Sequence, residues 1–485
     1  MSAVIRSAEP IHIRHATPQA LGGGTRQVKE PATGHTLWTV DLATPADVAA
    51  AAQLAEQAQA RWAQVPPREK AEVLRRAGNL FSQRHDELAL QVARETGAIL
   101  PKGQHEIREA ALLCHLAAGM PLQSQGQVLP STPGRMSLAR RVPRGVVGVI
   151  SPFNFPVILT LRAVAPALAT GNAVIVKPDT RTPVSGGLMI AQVFEEAGLP
   201  PGLLQVLPGD ADVGEALVTD PRVPMIAFTG SPAVGRRIGE LAGRHLKKVT
   251  LELGGSNSLL ILDDADLDVA ASNAAWGAYF HQGQICMAAN RILVHESMAA
   301  EFTRRLVLKA RHLPVGDGAS GQVALGPLID ARQRDRVHAL VQASVAAGAQ
   351  LEAGGTYEGL FYQPTVLSGV RPGQPVFDEE TFGPVANIVS YRSDEEAVAL
   401  ANQHQGSLAS AVISRSVGRA LAVGRQLKSG MVHINDQTVN DDCVNPFGGP
   451  GIAGNGSSVC GPADWEEYTQ WQWMTVQDNA PSYPF

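Results

Sequence analysis

Apolar positions along the chain recur at two spacings, and the change from one to the other locates its elements. Val48, Ala51, Ala55, Ala58 and Trp62 fall three and four residues apart, one stripe of a helix. Thr44 stands at its N-cap position, Pro45 in the first turn, and Asp47 completes a capping-box-like pattern. Pro66-Pro67 ends that helix; a second runs to about Glu95, with Gly97 as its C-terminal stop. Residues 1 to about 40 are polar and read as a loose arm with room for one hairpin.

From Gly145 short β-branched runs alternate with helical ones, the pattern of a parallel sheet with crossover helices. Strands are predicted at 145–150, 173–177, 204–207, 225–229 and 248–251, helices at 156–170, 183–197 and 233–246. This is a Rossmann-like unit. Ligands of such sheets sit beyond the carboxyl ends of the strands, so 151–154, 177–180 and 229–231 should line one crevice. A second alternating series follows Gly254-Gly255: strand 258–262, helix 267–279, a loop holding Cys286, and strand 291–295. It continues with strand 385–391, a helix from about 393, strand 410–414, a helix near 417–427 and strand 431–435. Two segments of alternating character, 122–142 and 465–476, lie outside the scheme; they suit pairing with each other or with another subunit.

Composition narrows the class. Forty Lys plus Arg against 45 Asp plus Glu give a net charge of -5 in 485 residues, with no basic block for nucleic acid or an anionic membrane. The apolar stretch 157–169 is too short to span a bilayer and contains Arg162 and Pro166. Four scattered cysteines with no CxxC speak against a disulfide framework or a metal site. With no signal-peptide pattern, these features predict a cytoplasmic protein acting on small molecules.

Chemistry-bearing residues sit at the predicted strand ends. Phe228-Thr229-Gly230-Ser231, with Gly235, would turn a helix N-terminus toward a pyrophosphate, although a tight turn alone explains the glycines. Lys177 ends an apolar strand, within reach of ribose or phosphate. Glu252, between apolar neighbours, should be partly desolvated and its pKa raised, as a general base near neutrality requires. In Ser151-Pro152-Phe153-Asn154-Phe155-Pro156 the Asn154 amide is placed to donate to an oxyanion. Gly283-Gln284-Ile285-Cys286 offers one thiol; a lone Cys is more often an inert core residue, the reading given to Cys114, Cys443 and Cys460. Glu379-Glu380-Thr381-Phe382-Gly383-Pro384 and Pro446-Phe447-Gly448-Gly449 are rigid loops, lids or plain turns.

In order and spacing these segments resemble the aldehyde dehydrogenase superfamily over about residues 25 to 478. The resemblance implies that family's α/β fold: a Rossmann-type cofactor domain (1–121 and 144–253), a second α/β catalytic domain (254–447) and a small β oligomerisation arm (122–143 and 460–478). It implies NAD(P)-dependent oxidation of an aldehyde, with Cys286 as nucleophile, Asn154 and the Cys286 N–H as oxyanion donors, and Glu252 activating the hydrolytic water. Cofactor contacts would come from Ser151, Phe153, Lys177, Thr180, Gly230, Ser231, Gly235, Glu380 and Phe382; Phe155 and Phe447 would line the substrate pocket. No metal is implied, and a homodimer or dimer of dimers is.

Departures from the pattern refine this. Thr180 replaces a Glu of many NAD-preferring members, so NADP should be tolerated beside NAD. Phe153 replaces a Trp. Ser457 and Ser458 replace a second Glu, leaving Glu252 as the base, and Asn257 has no functional account. Lys177-Pro178-Asp179 with Arg181-Thr182, Val184-Ser185-Gly186-Gly187, Ile434-Asn435-Asp436-Gln437 and Trp471-Gln472-Trp473 look like the bacterial benzaldehyde dehydrogenase branch. No Arg or Lys stands near Phe447 to bind a substrate carboxylate, which favours an aromatic aldehyde over a semialdehyde. Aliphatic aldehydes, transfer to CoA, a Cys hydrolase using His281 and a non-catalytic scaffold are the competing readings.

Overall fold

A computed structural model describes residues 11–12, 21–403 and 406–485; residues 1–10 and 13–20 of the expected N-terminal arm lie outside them. Within them Thr25–Lys29 and Thr36–Asp41 form the expected hairpin. The Pro45–Trp62 helix starts on a capping box in which Thr44 and Asp47 satisfy each other's backbone N–H groups, and its Val48, Ala51, Ala55, Ala58 and Trp62 stripe is buried.

A five-stranded, all-parallel sheet has the order Lys248–Leu253, Met225–Gly230, Val146–Ile150, Ala173–Lys177, Leu204–Val206. The chain winds outward from Val146–Ile150, then returns to its other side with Met225–Gly230. The switch point between these two strands opens a crevice at their carboxyl ends, where Ser151 to Asn154 and Ser231 emerge.

The second sheet has seven strands, ordered Gln350–Ala353, Thr365–Ser368, Val385–Tyr391, Arg291–His295, Ser258–Ile261, Ser407–Ile413, Ser429–Ile434; its first pair is antiparallel and the rest parallel. The chain enters Ser258–Ile261 directly after Gly254-Gly255, and enters Arg291–His295 from the Cys286 loop. The amino ends of the second sheet therefore receive what the carboxyl ends of the first deliver. Thr469–Gln477 pairs antiparallel with Arg135–Pro143, which also pairs with Gly126–Leu129, so the two outlying segments do meet each other.

Some elements differ from their prediction. The second helix is two, Pro67–Gln83 and His85–Thr96, separated by the non-helical Arg84; Gly97 then ends the latter in a left-handed conformation. The 183–197 helix opens as a π-helical turn, Val184–Leu188, in which Gly187 lies so close to Val206 that a Cβ would come within 2.5 Å of its methyl. Helices Leu100–Gly119, Glu296–His312 and Ala331–Ala346 were not anticipated.

Candidate active site

Three successive left-handed residues, His281 (φ 46°), Gln282 (φ 56°) and Gly283 (φ 65°), turn the chain out of the Leu267–Tyr279 helix toward Cys286. Each non-glycine residue so placed costs about 1–2 kcal/mol, which surrounding contacts must offset. Gln282 Nε2 donates to Gly97 O (2.8 Å) and Pro327 O (2.9 Å), and Gln284 Oε1 accepts from Ile329 N–H (3.1 Å). A Cβ at position 283 would sit 2.1 Å from Gly383 O, so glycine is required there on both counts. The loop presents Cys286 half-buried.

Asn257 clamps this loop. Its Nδ2 donates to Cys286 O (2.7 Å) and Ala288 O (3.0 Å), while its Oδ1 accepts from Ala409 N–H (2.9 Å). One buried amide thus ties the Cys286 backbone to two strands of the second sheet. Asn257→Asp keeps the shape but loses both donors. A carboxylate facing two carbonyls should displace the loop, and a shift near 1 Å costs about a hundredfold in kcat. The check is kcat with KM for dinucleotide unchanged.

Asn154 comes from the other sheet to the same loop, its Nδ2 donating to Gln284 O at 2.9 Å. Its own carbonyl accepts from Lys102 Nζ (2.5 Å), and Lys102 is ion-paired with Glu106; both charged side chains are fully buried. Glu106 in turn accepts the N–H groups of Val157 (3.0 Å) and Ile158 (3.3 Å), orphan donors at the start of the Pro156–Ala169 helix. The Lys102 ammonium lies 4.3 Å from the Phe155 ring centre, and His281 meets that ring edge-on at 5.4 Å. Burial first, then the Lys102 charge, push the His281 imidazole well below its usual pKa, so it is neutral. Its ring nitrogens have no hydrogen-bond partner among the described residues, and it makes no relay to Cys286.

Glu252 is buried, and neither carboxylate oxygen has a hydrogen-bond partner among the described residues. Burial drives its pKa well above the usual carboxylate range; Arg162 opposes that and Glu467 adds to it. The Cys286 thiol is pushed up to about 12, by burial first and then by Glu380 and Glu252, with Arg162 opposing. Glu380 is raised to about 8 by burial, against Arg336 and the Gly255 N–H. Gly254 lies beneath the Glu380 carboxylate, where a Cβ would stand 2.4 Å from both oxygens. Arg336 holds the loop from outside, donating to Glu380 O (2.7 Å) and Thr381 O (3.1 Å).

The expected cofactor residues lie at or after the carboxyl ends of three strands of the first sheet, apart from Glu380 and Phe382, which precede Val385–Tyr391 of the second. Ser231 is exposed and caps the thirteen-residue Pro232–Arg244 helix. Gly235 packs so closely on Leu253 that a Cβ would approach it to 2.4 Å. Ser151 is buried beside Gly186 O, and Lys177 and Thr180 are half-buried. Phe153 meets Phe382 edge-on at 5.9 Å, joining the Asn154 and Glu380 loops. Arg181 stacks over Phe153 at 4.1 Å and pairs with Asp179 and Asp330. An exposed helix N-terminus, a bare glycine approach and the unpartnered buried acceptor Glu380 Oε1 fit a dinucleotide.

The expected substrate residues do not share one contact. Phe155 packs on Lys102 and His281, whereas Phe447 packs on Arg162, whose guanidinium lies 4.4 Å from its ring centre. The expectation that no cation stands near Phe447 is therefore corrected. Arg162 is distant in sequence, but the helix that carries it runs beneath the Phe447 loop, and it is ion-paired there with Asp441. Arg162, Glu252 and Phe447 line one cleft with Thr229, Thr250 and Tyr468. Arg162, Asn257 and Lys102 are contacts of this region that the sequence did not single out for it.

A comparison with known proteins identifies the family. Residues 19–474 match the aldehyde dehydrogenase family. The chain belongs to the aldehyde dehydrogenase family. It is 53% identical over 464 residues to a vanillin dehydrogenase of an Amycolatopsis species, covering 96% of each chain. It is 50% identical over 464 residues to the NAD(+) benzaldehyde dehydrogenase of Pseudomonas putida, covering 96% of this chain and 95% of that one. The crystal structure of an NAD-dependent aldehyde dehydrogenase from Sinorhizobium meliloti superposes with a TM-score of 0.93 at 32% identity, covering 98% of this chain and 97% of that one. Asn154 reaches the Cys286 loop from the first sheet, and the Glu252 charge acts on the Cys286 thiol. Among the described residues, no helix is long and apolar enough to cross a membrane.

Proposed function

We propose that this aldehyde dehydrogenase oxidises an aromatic aldehyde, benzaldehyde or a ring-substituted relative, to the carboxylic acid with NAD or NADP. The observation that carries the reading is identity at half or more of 464 aligned positions to two dehydrogenases named for aromatic aldehydes. The Cys286 thiol gives its proton to water, the Sγ thiolate adds to the carbonyl carbon, and the carbonyl electron pair moves to the oxygen. Asn154 uses one amide hydrogen on Gln284 O, which fixes its plane; its second N–H and the Cys286 backbone N–H hold the oxyanion. The bound dinucleotide supplies the acceptor for the hydride that leaves carbon. Glu252 takes a proton from the water that attacks the thioester, and Cys286 departs as the leaving group. A base serving water in this way favours hydrolysis over transfer to CoA.

For the dinucleotide, Ser231 and the helix it caps face the pyrophosphate, Lys177 and Glu380 the two riboses, and Ser151, Phe153, Gly230, Gly235 and Phe382 frame the path. Thr180 presents no carboxylate toward a 2′-phosphate, so NADP serves beside NAD. Thr180→Glu should lower kcat/KM for NADP by about tenfold or more through like-charge repulsion while sparing NAD. Equal loss with both cofactors would remove Thr180 from that role.

Residues 1–121 with 144–253 form the dinucleotide domain and 254–447 the catalytic one; 122–143 and 460–478 serve a homodimer or dimer of dimers in the cytoplasm. Exposed Val128 (77%), Met136 (54%), Trp471 (49%) and Trp473 (71%) on the small sheet support assembly through that arm. Steady-state kinetics with benzaldehyde, hexanal and succinate semialdehyde test the substrate. The largest kcat/KM belongs to benzaldehyde; a large preference for either other compound would end the aromatic reading.

A further inference from the structure

The Pro156–Ala169 helix is buried along its whole length, and Arg162 places a permanent charge in the middle of it. A buried guanidinium is retained only where partners compensate it, and here compensation is incomplete. One terminal nitrogen donates to Asp441, and the planar face rests on the Phe447 ring. The Nε donor is buried and has no hydrogen-bond partner among the described residues. That spare donor belongs to a side chain only 7% exposed, lining the same cleft as Glu252 and Phe447. Asp441 closes the other side of the pair, its side chain 22% exposed.

We infer that Arg162 and Asp441 form the polar end of the aldehyde pocket and read an oxygen substituent, foremost a hydroxyl, on the aromatic ring. This rests on the aromatic substrate proposed above. A phenolic hydroxyl has one donor and acceptor lone pairs, and the pair offers the complement: Arg162 donates to its oxygen and Asp441 accepts its proton. Phe447 supplies the apolar wall behind the guanidinium. The paired charges also select against other aldehydes. Arg162 alone would attract a substrate carboxylate; with Asp441 beside it, such a carboxylate meets a like charge, so a semialdehyde acid gains nothing. Arg162 shares its cleft with Glu252, the base proposed for the hydrolytic step.

The experiment measures kcat/KM for 3- and 4-hydroxybenzaldehyde, benzaldehyde and succinate semialdehyde at fixed NAD in wild type, Arg162→Met, Arg162→Lys and Asp441→Asn. The expected result is a hydroxybenzaldehyde-to-benzaldehyde ratio that falls about tenfold or more in Arg162→Met and Asp441→Asn, with part of it recovered in Arg162→Lys. Asp441→Asn should also gain activity on succinate semialdehyde, a change that mere loss of packing would not produce. Should Arg162→Met fail to fold, Asp441→Asn carries both readouts. A ratio unchanged in Asp441→Asn, with no gain on the semialdehyde, overturns the inference while leaving benzaldehyde oxidation intact. No oxidation of any aromatic aldehyde by wild type removes the substrate reading and this inference with it.

Discussion

Cys286→Ala is expected to lower NADH formation from benzaldehyde by at least about 10⁴-fold, as loss of a covalent nucleophile does elsewhere, while dinucleotide binding persists. No other thiol can substitute. Cys114 is fully buried with its pKa driven far up; Cys443 and Cys460 are buried and pushed up to about 11 and about 12. Cys286 is itself held up to about 12, but it alone is half-buried, and it alone lies on the loop that Asn154 and Asn257 hold from two sides. The substitution removes one atom from a half-buried position and leaves both clamps, which grip backbone carbonyls. Binding measured by quenching of protein fluorescence should therefore match wild type. Retained turnover would refute the nucleophile; lost binding would show that the loop had collapsed.

Glu252→Gln should separate the two halves of the reaction. The amide has the carboxylate's shape but cannot accept a proton from water, so the thioester should form and then persist. Stopped-flow absorbance should show a burst of about one NADH per active site, followed by turnover slowed about 10²- to 10⁴-fold, the usual worth of a general base. The pH dependence carries the same information. Burial raises the Glu252 pKa well above the usual carboxylate range. A base works only when ionised, so wild-type deacylation should rise as pH climbs through that raised value and fall as pH drops below it. The rising limb should lie above the ordinary carboxylate region and vanish in Glu252→Gln. A burst of equal size in wild type and variant with no slowing afterward would mean that another group activates the water.

The parts of the fold legible in the sequence are those that local chemistry decides. Thr44 and Asp47 satisfy backbone groups within one turn, so the cap is visible as a spacing. The β-branched runs of the first sheet are buried on both faces and read as strands without knowledge of their neighbours. Cys286, Glu252 and Asn154 stood out because family motifs surround them, and the structure brings Asn154 to the Cys286 loop as the motifs imply.

What stayed hidden depends on partners far along the chain. Lys102 and Glu106 look like an exposed pair one helical turn apart, yet both are fully buried because Asn154 O and two helix-start N–H groups use them. Asn257 had no account because its contacts, Cys286 O, Ala288 O and Ala409 N–H, lie 29, 31 and 152 residues away. Arg162 served only to disqualify a membrane span; its stacking on Phe447 and pairing with Asp441 exist only once the helix is packed.

The central claim is that the aldehyde's acyl group is carried on Cys286 and released by Glu252. Its most direct test is peptide mass spectrometry of Glu252→Gln quenched after mixing with NAD and benzaldehyde. The account predicts a benzoyl group on the peptide containing Cys286 and on no other cysteine. An unmodified Cys286 beside continuing NADH formation, or a benzoyl group on Cys114, Cys443 or Cys460, would contradict it.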